Sequence, residues 1–356
     1  MINPQSRVRQ LVREHVPKVN RLSKLRLDLN ENIVGWPAEL LRELLSAITP
    51  DDLSAYPETY GLQSSIARCH NLSSAHVLVT AGSEMAIRYV FEAYLGVGSE
   101  LLILDPSFAM FEVYGRLFEA EVVKVPFDTS LKVAMGDVLG RLTSRTRVVA
   151  IANPNNPTGT VFCVDDLLML LTRAAAIDCL VLIDEAYYYF YKDTMAPMIS
   201  QFDNLVVTRT FSKAFGLASV RLGYALASPD MIASVSKLQP IDHTNVLAVK
   251  LGSYAIEHEE LAWDYAKEAA AGKSYLVGEL RALGLNVVDS HGNFILVDAG
   301  SDRAELLRSL QQQVLLGSNV RLPFVNEYLK VTVGPVHQMV RLVSLLKPWI
   351  RRASLR

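Results

Sequence analysis

Cysteine is scarce in this chain. Its 356 residues include three cysteines, Cys69, Cys163 and Cys179. They are scattered and lack C-x-x-C spacing, so they predict neither a disulfide framework nor a zinc site. We interpret them as small, buried apolar residues. A reduced, cytoplasmic setting follows as the default expectation.

Long apolar runs and charge of one sign are absent as well. The most apolar region, from Leu167 to Ile183, is interrupted by Arg173 and Asp178, so we expect no membrane-spanning segment. The first 13 residues are polar and basic and lack the apolar core of a signal peptide. The net charge is −2, with no run of Lys or Arg. We therefore expect neither a membrane nor a nucleic acid as a partner.

Metal-ligand spacing is also missing, because the seven histidines are scattered and form no H-x-x-x-H pair. We expect no metal site. Half of the residues are apolar and a fifth are charged, which is typical of a soluble globular protein. The length exceeds one compact core of about 150 residues but is short for three domains.

Short apolar runs alternate with helix-like segments between about residues 75 and 228. These runs are nearly continuous in apolar character, as is typical of strands buried on both faces. The alternation predicts an α/β fold whose large domain has three layers (αβα) around a mostly parallel seven-stranded sheet. The strand candidates are His76–Thr80, Glu100–Leu104, Glu121–Val125, Arg147–Ala152, Cys179–Ile183, Asn204–Thr208 and Arg221–Ala227, and helical candidates include Glu84–Tyr94 and Asp165–Ala176.

The pattern changes after Pro229 and predicts a second, smaller α+β domain. A long charged helix over Ser253–Leu283 is followed by strands Asn286–Val288 and Asn293–Asp298, helix Asp302–Gln312, strand Leu329–Val333 and helix Val336–Lys347, which should end near Pro348. The first ~45 residues have too few periodic apolar positions to form their own core. The predicted domains are an N-terminal arm (1–45) packed on the small domain, a large domain (46–250) and the small domain (251–356).

Ligands of such sheets bind beyond the carboxyl ends of the strands, where loops lead into helices. The segment Thr80–Glu84 follows a strand and opens a helix. Free backbone N–H groups and the helix dipole there can hold a phosphate, with Gly82 and Ser83 nearest. Ser83 as a plain helix cap is the alternative.

The loop Asn153–Gly159 (Asn-Pro-Asn-Asn-Pro-Thr-Gly) follows another strand. Two prolines and a glycine restrict its backbone, so that it can hold the amide of Asn156 against a ligand oxygen. A structural turn is the alternative, but it needs Gly and Pro rather than this density of Asn.

A carboxylate, Asp184, ends the apolar run Val181–Ile183. A buried charge is costly unless it meets a cation, and a protonated pyridine nitrogen is one such partner. Tyr187 could donate a hydrogen bond to a ring oxygen. Asp184 could instead cap a helix or belong to an ion pair.

Lys213 ends the segment Thr210–Lys213, beside two hydroxyls and close to Arg221. This arrangement predicts a lowered amine pKa and a nucleophilic amine. Thr210, Ser212 and Arg221 are also suitable phosphate ligands. An ordinary surface lysine is the alternative. Together the four segments offer what an electron-sink pyridine aldehyde phosphate requires, namely a phosphate cradle, a carboxylate, ring-oxygen donors and an amine.

These motifs resemble the fold-type-I pyridoxal-phosphate (PLP) aminotransferases, and within them the histidinol-phosphate aminotransferase-like branch. Matching elements run from Asn30-Glu31-Asn32 to Leu329–Gly334, almost the whole chain. The segments Asn-Pro-Asn-Asn-Pro-Thr-Gly, Asp-Glu-Ala-Tyr and Thr-Phe-Ser-Lys-Ala-Phe-Gly-Leu, in that order, are jointly specific for the family.

The resemblance implies a role for each matching residue. Lys213 would form the Schiff base with PLP and shuttle the proton. Asp184 would pair with the pyridine nitrogen, while Asn156 and Tyr187 would bind the phenolic oxygen. Tyr56 would reach the phosphate of the neighbouring subunit in a homodimer. The phosphate ligands would be Gly82, Ser83, Thr210 or Ser212, and Arg221.

The substrate half departs from the family pattern. Phe108 stands where the family usually stacks a tyrosine on the cofactor, and Lys330 stands where it has an arginine. Lysine cannot make the bidentate fork of arginine. We expect a cationic pocket of Lys18, Arg321 and Lys330, together with Asn32, that suits an anionic substrate. Lys18 could also be a solvated surface residue.

Three functions remain open from the sequence. The leading one is transfer of an amino group from a donor such as glutamate to a keto acceptor whose structure is phosphorylated, phosphonylated or dicarboxylic. A PLP decarboxylase or lyase of a phosphorylated amino acid would share the cofactor residues, because PLP labilises whichever Cα bond lies perpendicular to its ring. A binding protein that keeps PLP only as a fold element is disfavoured by the intact Lys213.

Overall fold

The computed structural model describes residues 2–11, 20–241, 243–300, 303–317 and 328–353, the last four for their backbone only. The strands are β1 (Leu25–Leu27), β2 (Val77–Thr80), β3 (Glu100–Asp105), β4 (Glu121–Pro126), β5 (Thr146–Ala152), β6 (Leu180–Asp184), β7 (Leu205–Thr210), β8 (Gly223–Leu226), β9 (Val287–Val288), β10 (Phe294–Asp298), β11 (Val314–Leu316) and β12 (Tyr328–Thr332). The helices are α1 (Ser6–Arg9), α2 (Ala38–Ser46), α3 (Pro50–Ser54), α4 (Tyr60–Cys69), α5 (Ser83–Tyr94), α6 (Ala109–Leu117), α7 (Met135–Leu139), α8 (Val164–Ala175), α9 (Tyr188–Tyr191), α10 (Pro229–Ser236), α11 (Val246–Glu257), α12 (Glu260–Ala282), α13 (Arg303–Leu310) and α14 (Val336–Ala353).

Seven strands form the large sheet, in the order β2-β8-β7-β6-β5-β3-β4. Neighbouring strands are parallel except around β8, which runs antiparallel to both β2 and β7. The predicted mostly parallel seven-stranded sheet is therefore confirmed.

Helices cover both faces of this sheet. In β5, Val149 and Ile151 pack in one apolar cluster with α4, α8 and α11, whereas Val148 and Ala150 pack in a second cluster with α5, α6 and α10. Successive side chains of a strand point to opposite faces, so a strand covered on both sides must be apolar throughout. The three-layer prediction is thereby confirmed.

A smaller α+β unit follows. Its antiparallel sheet has the order β12-β10-β9, and β1 of the arm pairs with β11 in a separate two-stranded parallel sheet. The third apolar cluster contains Leu276 and Leu280 of α12, Ile295 and Val297 of β10, and Leu342 of α14. These contacts give the small unit a core of its own.

The arm contacts both units. Leu25 and Leu27 belong to the small-unit cluster, but Trp36, Leu41 and Leu44 pack against the large-sheet cluster. The α11 helix and the first turns of α12 also pack on the large sheet. The division at residues 45 and 250 remains a proposal.

Several local predictions were wrong. β8 begins at Gly223 because Arg221 has a left-handed φ of 58° and cannot continue a strand. The predicted helix over Ser253–Leu283 is two helices separated at His258 and Glu259. The last helix continues past Pro348 to Ala353. Cys69 and Cys163 are exposed, so only Cys179 is the buried residue expected.

Within the described ranges, no helix is both long and apolar enough to cross a membrane.

Gly272 of α12 tests the packing of the small unit. A Cβ added there would lie 1.8 Å from the carbonyl oxygen of Gly334, which is backbone and cannot rotate away. We predict that Gly272→Ala lowers the free energy of unfolding by about 2 kcal/mol, because overpacking outweighs the helix preference of alanine. Denaturant unfolding measures the change.

The matched control is Gly278→Ala in the same helix. Gly278 is exposed, and its added Cβ would meet no neighbouring atom within 4 Å. It should raise the free energy of unfolding by about 0.5–1 kcal/mol. Equal stabilisation by both substitutions would contradict the close contact at Gly272.

Candidate active site

Asp184 ends a central strand at the edge where the parallel strands finish. The register places it opposite Ala152 of β5 and Thr208 of β7. Asp184 is buried, and its Oδ1 accepts a hydrogen bond from the Thr208 hydroxyl at 2.8 Å. Desolvation raises the pKa of Asp184 to about 6, although the hydrogen bond from Thr208 and the charge of Lys213 oppose the rise. A cation beside this carboxyl group would favour its ionised form.

Lys213 follows β7 and is half-buried. Its Nζ donates a hydrogen bond to the carbonyl oxygen of Leu29 at 2.8 Å. Desolvation by the surrounding protein atoms, followed by the positive charge of Lys330, lowers the pKa of Lys213 to about 8. The negative charges of Glu31 and Asp184 oppose this shift. A substantial fraction of the amine is therefore neutral near pH 8 and can act as a nucleophile.

Tyr187 lies in the loop between β6 and α9 and is buried. Its hydroxyl accepts a hydrogen bond from Asn30 Nδ2 at 2.8 Å. Its ring packs edge-on against Phe294, with 5.3 Å between the ring centroids. The ring centroid lies 5.8 Å from Lys213 Nζ. The structure therefore brings the phenol ring and the amine together, although their predicted roles remain proposals.

The predicted phosphate ligands converge where β2, β7 and β8 meet. Arg221 Nη1 lies 3.5 Å from Ser212 Oγ, and the Ser212 backbone N–H donates to Thr210 Oγ1 at 3.1 Å. Gly82 has a φ of 90°, and a Cβ added to it would lie 2.8 Å from Arg221 Nη2. Ser83 begins α5. A guanidinium, hydroxyls and the N–H groups of a helix terminus are groups that can bind an anion together.

The Asn153–Gly159 loop uses its three asparagines differently. Asn153 exchanges two hydrogen bonds with the backbone of Phe162, so it fixes the turn. Asn155 is buried and bonds Ser107, Pro106 and Thr158. Asn156 is the half-buried one, and its Oδ1 accepts a hydrogen bond from Lys330 Nζ at 3.3 Å. The loop thus combines a structural turn with one amide that faces the predicted substrate cation.

Three predicted site residues do not take part in the contacts described above for Asp184, Lys213, Tyr187 and the phosphate ligands. Phe108 precedes α6 and packs edge-on against Phe111 at 5.6 Å between centroids. Asn32 is buried, and its amide bonds Ala214 O and the N–H groups of Val34 and Gly35. Tyr56 is 80% exposed. Their predicted roles remain proposals.

Two members of the predicted substrate pocket, Lys18 and Arg321, lie outside the described residues. Lys330 is the described member, and its Nζ lies 5.8 Å from the Phe294 ring centroid.

The sequence reasoning missed other neighbours of the site. Leu29, Asn30 and Thr208 bond Lys213, Tyr187 and Asp184, respectively, and Phe294 packs on Tyr187. Thr208 could have been found, because parallel strands that end together place their last side chains side by side. The arm residues could not, since nothing local to them indicates a partner more than 150 positions away.

Known proteins are similar to this chain over most of its length. The family model for aminotransferase class I and II matches residues 23–346. A histidinol-phosphate aminotransferase from Symbiobacterium thermophilum is 34% identical over 333 residues, which cover 91% of this chain and 90% of that protein. The chain therefore belongs to the class I and II aminotransferase family.

Solved structures agree on the fold. The histidinol-phosphate aminotransferase from Sinorhizobium meliloti in complex with pyridoxal-5'-phosphate has a TM-score of 0.85 at 20% identity, covering 99% of both chains. The L-threonine-O-3-phosphate decarboxylase from Porphyromonas gingivalis has a TM-score of 0.79 at 23% identity, covering 92% of this chain and 99% of that one.

The predicted enzyme class and cofactor are confirmed by this membership: the protein is a PLP-dependent aminotransferase of fold type I. Its own residues fit that cofactor. A buried carboxyl group suits a cationic ring nitrogen, the amine of Lys213 has a lowered pKa, and the backbone at Gly82 leaves room beside Arg221.

The lowered pKa of Lys213 can be tested on the protein without cofactor. An amine-reactive reagent labels only neutral amines, so labelling of the Lys213 peptide should rise with a midpoint near pH 8, as quantified by mass spectrometry. Lys330→Met should move this midpoint upward, because it removes the largest repelling charge.

The matched control is Lys237→Met, which removes an exposed lysine that is not among the main causes of the shift. It should leave the midpoint unchanged. A wild-type midpoint near the ordinary lysine pKa of about 10.4 would contradict the electrostatic account.

Proposed function

We propose that Lys213, Asp184 and Tyr187 carry the chemistry of this aminotransferase. Lys213 would hold PLP through its amine and would move the proton at the substrate Cα. Asp184 pairs with the ring nitrogen, while Asn156 and Tyr187 bind the ring oxygen. The phosphate is held by Gly82, Ser83, Thr210, Ser212 and Arg221, and Phe108 covers one face of the ring.

The observation that carries this proposal is the environment of Lys213. When bound, PLP supplies an electron sink that weakens the bonds at the substrate Cα. The chain must then supply a base whose pKa lies near the working pH. Burial and the charge of Lys330 bring the pKa of Lys213 to about 8. Desolvation penalises the Asp184 carboxylate, and a positive charge on the ring nitrogen would stabilise it.

The proposed reaction moves an amino group between glutamate and an anionic keto compound, phosphorylated rather than dicarboxylic or phosphonylated. The similarity to proteins named histidinol-phosphate aminotransferase supports the phosphate. The cationic Lys330 beside Asn156 supports an anion at this position. Lys18, Arg321 and Asn32 complete the proposed substrate pocket. A cytoplasmic location is likewise a proposal, from the cysteine pattern alone.

A second candidate is decarboxylation of a phosphorylated amino acid. The decarboxylase named above shares the fold, and Lys330 in place of the family arginine changes how a substrate carboxylate is anchored. Transamination is favoured because the family match and the 34% identical relative are both aminotransferases.

Paired substrates test the reaction and the phosphate together. With 2-oxoglutarate as acceptor, kcat/KM for histidinol phosphate should exceed that for histidinol by on the order of 10²-fold, because charge-assisted hydrogen bonds contribute about 1.5–3 kcal/mol each. Glutamate formation measures the rate. Lys213→Ala is the control and should abolish turnover.

The alternatives give different results in the same assay. Carbon dioxide release from a phosphorylated amino acid, without any need for an acceptor, would replace the proposal with decarboxylation. Equal rates with histidinol and its phosphate would remove the phosphate from the substrate class while leaving transamination intact.

We also propose a homodimer whose active sites are shared. Leu53, Tyr56 and Tyr60 are between 68% and 80% exposed on one short segment of the chain. Large apolar side chains grouped in this way are typical of an interface. In this arrangement Tyr56 contributes to the phosphate site of the other copy.

Mixed dimers test this sharing. Lys213→Ala and Tyr56→Ala proteins should each have low activity when pure. After unfolding and refolding as an equal mixture, about a quarter of the sites should combine an intact Lys213 with an intact Tyr56, so activity should return to about that level. Mixing without refolding is the control. If activity stays low after subunit exchange, which a tagged subunit can verify, Tyr56 acts within its own chain or not at all.

A further inference from the structure

Two consecutive residues of the arm contact both proposed catalytic groups. The carbonyl oxygen of Leu29 accepts a hydrogen bond from Lys213 Nζ, and the side chain of Asn30 donates to the Tyr187 hydroxyl, each at 2.8 Å. Asn30 is 1% exposed and Tyr187 is 3% exposed, so water does not compete for this bond. The arm therefore reaches the centre of the site.

The direction of the bond to Tyr187 has a chemical consequence. The amide nitrogen of Asn30 can only donate, so the phenol oxygen accepts. The single proton of the phenol is then free of this contact and must be donated elsewhere. If the arm residue instead had an acceptor atom at the same place, the direction of the hydrogen bond would be reversed. The phenol would then donate its proton to the arm residue.

Thr332 of β12 determines which way the Asn30 amide faces. The Asn30 backbone N–H donates to Thr332 Oγ1 at 2.9 Å, and the Thr332 hydroxyl can therefore give its own proton to Asn30 Oδ1, which lies 3.3 Å away. Thr332 is fully buried. If the Asn30 amide were turned over, its NH2 group would face the Thr332 hydroxyl. The hydroxyl proton of Thr332 would then lose Asn30 Oδ1 as its acceptor, which is costly in a buried position.

Further contacts hold Asn30 in place. Asn293 Nδ2 donates to the Asn30 carbonyl oxygen at 3.1 Å. The φ of Asn30 is 56°, a left-handed conformation that asparagine tolerates better than most residues. On either side, Arg21 pairs with both Asp28 and Glu31. This part of the arm is thus braced by charge and by buried hydrogen bonds.

We infer that Asn30 is a positioning residue, which holds the Tyr187 phenol as a hydrogen-bond donor toward the cofactor ring oxygen, with Thr332 setting the orientation of its amide. This inference rests on the proposed role of Tyr187. Thr332 and Lys330 lie two residues apart on β12 and so share one face of the strand. The strand β12 therefore carries both Lys330, the proposed substrate cation, and Thr332, which through Asn30 orients the phenol of Tyr187 toward the cofactor.

The test is the pKa of the Lys213–cofactor linkage, read from its visible absorption as pH is varied. A donor to the ring oxygen competes with the protonated linkage nitrogen for that oxygen and so lowers the pKa of the linkage. Tyr187→Phe should raise it by about one pH unit, the equivalent of one hydrogen bond. Asn30→Asp, which is isosteric but accepts the phenol proton, should raise it by a similar amount.

The double variant Asn30→Asp/Tyr187→Phe distinguishes an effect of Asn30 on the orientation of Tyr187 from an effect of the added negative charge. If Asn30 acts through Tyr187, Asn30→Asp should add little to the pKa in the Tyr187→Phe background. Thr332→Val should raise the linkage pKa without introducing a charge, and Thr332→Ser, which keeps the hydroxyl, should restore the wild-type value. Thermal unfolding of each cofactor-free variant reports stability separately.

The possible failures are distinguishable. If Tyr187→Phe leaves the linkage pKa unchanged, the proposed role of Tyr187 is wrong. If Tyr187→Phe raises the pKa but Asn30→Asp and Thr332→Val do not, Asn30 is merely structural and the inference is overturned. A full effect of Asn30→Asp in the Tyr187→Phe background also overturns it, because the added charge alone would then explain the change.

Discussion

The parallel pairing of β5, β6 and β7 is the constraint on which the site depends. Their shared register brings Ala152, Asp184 and Thr208 level at one edge of the sheet. A shift of one residue in β6 would turn Asp184 to the other face of the sheet and remove the carboxyl group from the site. Burial on both faces makes such a shift costly.

A buried ion pair reinforces these strand ends. Arg209 donates two hydrogen bonds to Glu185 Oε2, and its guanidinium lies 3.5 Å from the Tyr188 ring centroid. Both charged side chains are almost fully buried. Breaking such a pair leaves an uncompensated charge, so it specifies how β7 meets the loop after β6. Glu185 is thereby paired with Arg209, and the neighbouring Asp184 is the carboxyl group available to the proposed site.

The two halves of the site differ in how they are built. The proposed cofactor half comes from loops after strands of one sheet, whereas the proposed substrate half brings Lys330 of the small unit against Asn156. The arm joins the halves through Leu29 and Asn30. Because the charge of Lys330 lowers the pKa of Lys213, the residue proposed to bind the substrate anion also affects the amine proposed to be catalytic.

The sequence alone determined the α/β class and most strand positions, and it indicated the candidate cofactor residues, because buried strands and strand-end motifs are local signals. Asp184, Asn156 and Lys213 were proposed as site residues from such motifs, and their roles remain proposals, whereas the fold class, enzyme class and cofactor predicted with them are confirmed. Tertiary structure alone decided how the arm divides between the two units. It also decided that α14 passes through Pro348, that Leu29 and Asn30 bond the proposed catalytic groups, and that Thr332 bonds Asn30. These contacts join residues far apart in the chain, and each polar side chain involved is also common in ordinary turns. Nothing local distinguishes them until packing brings them together.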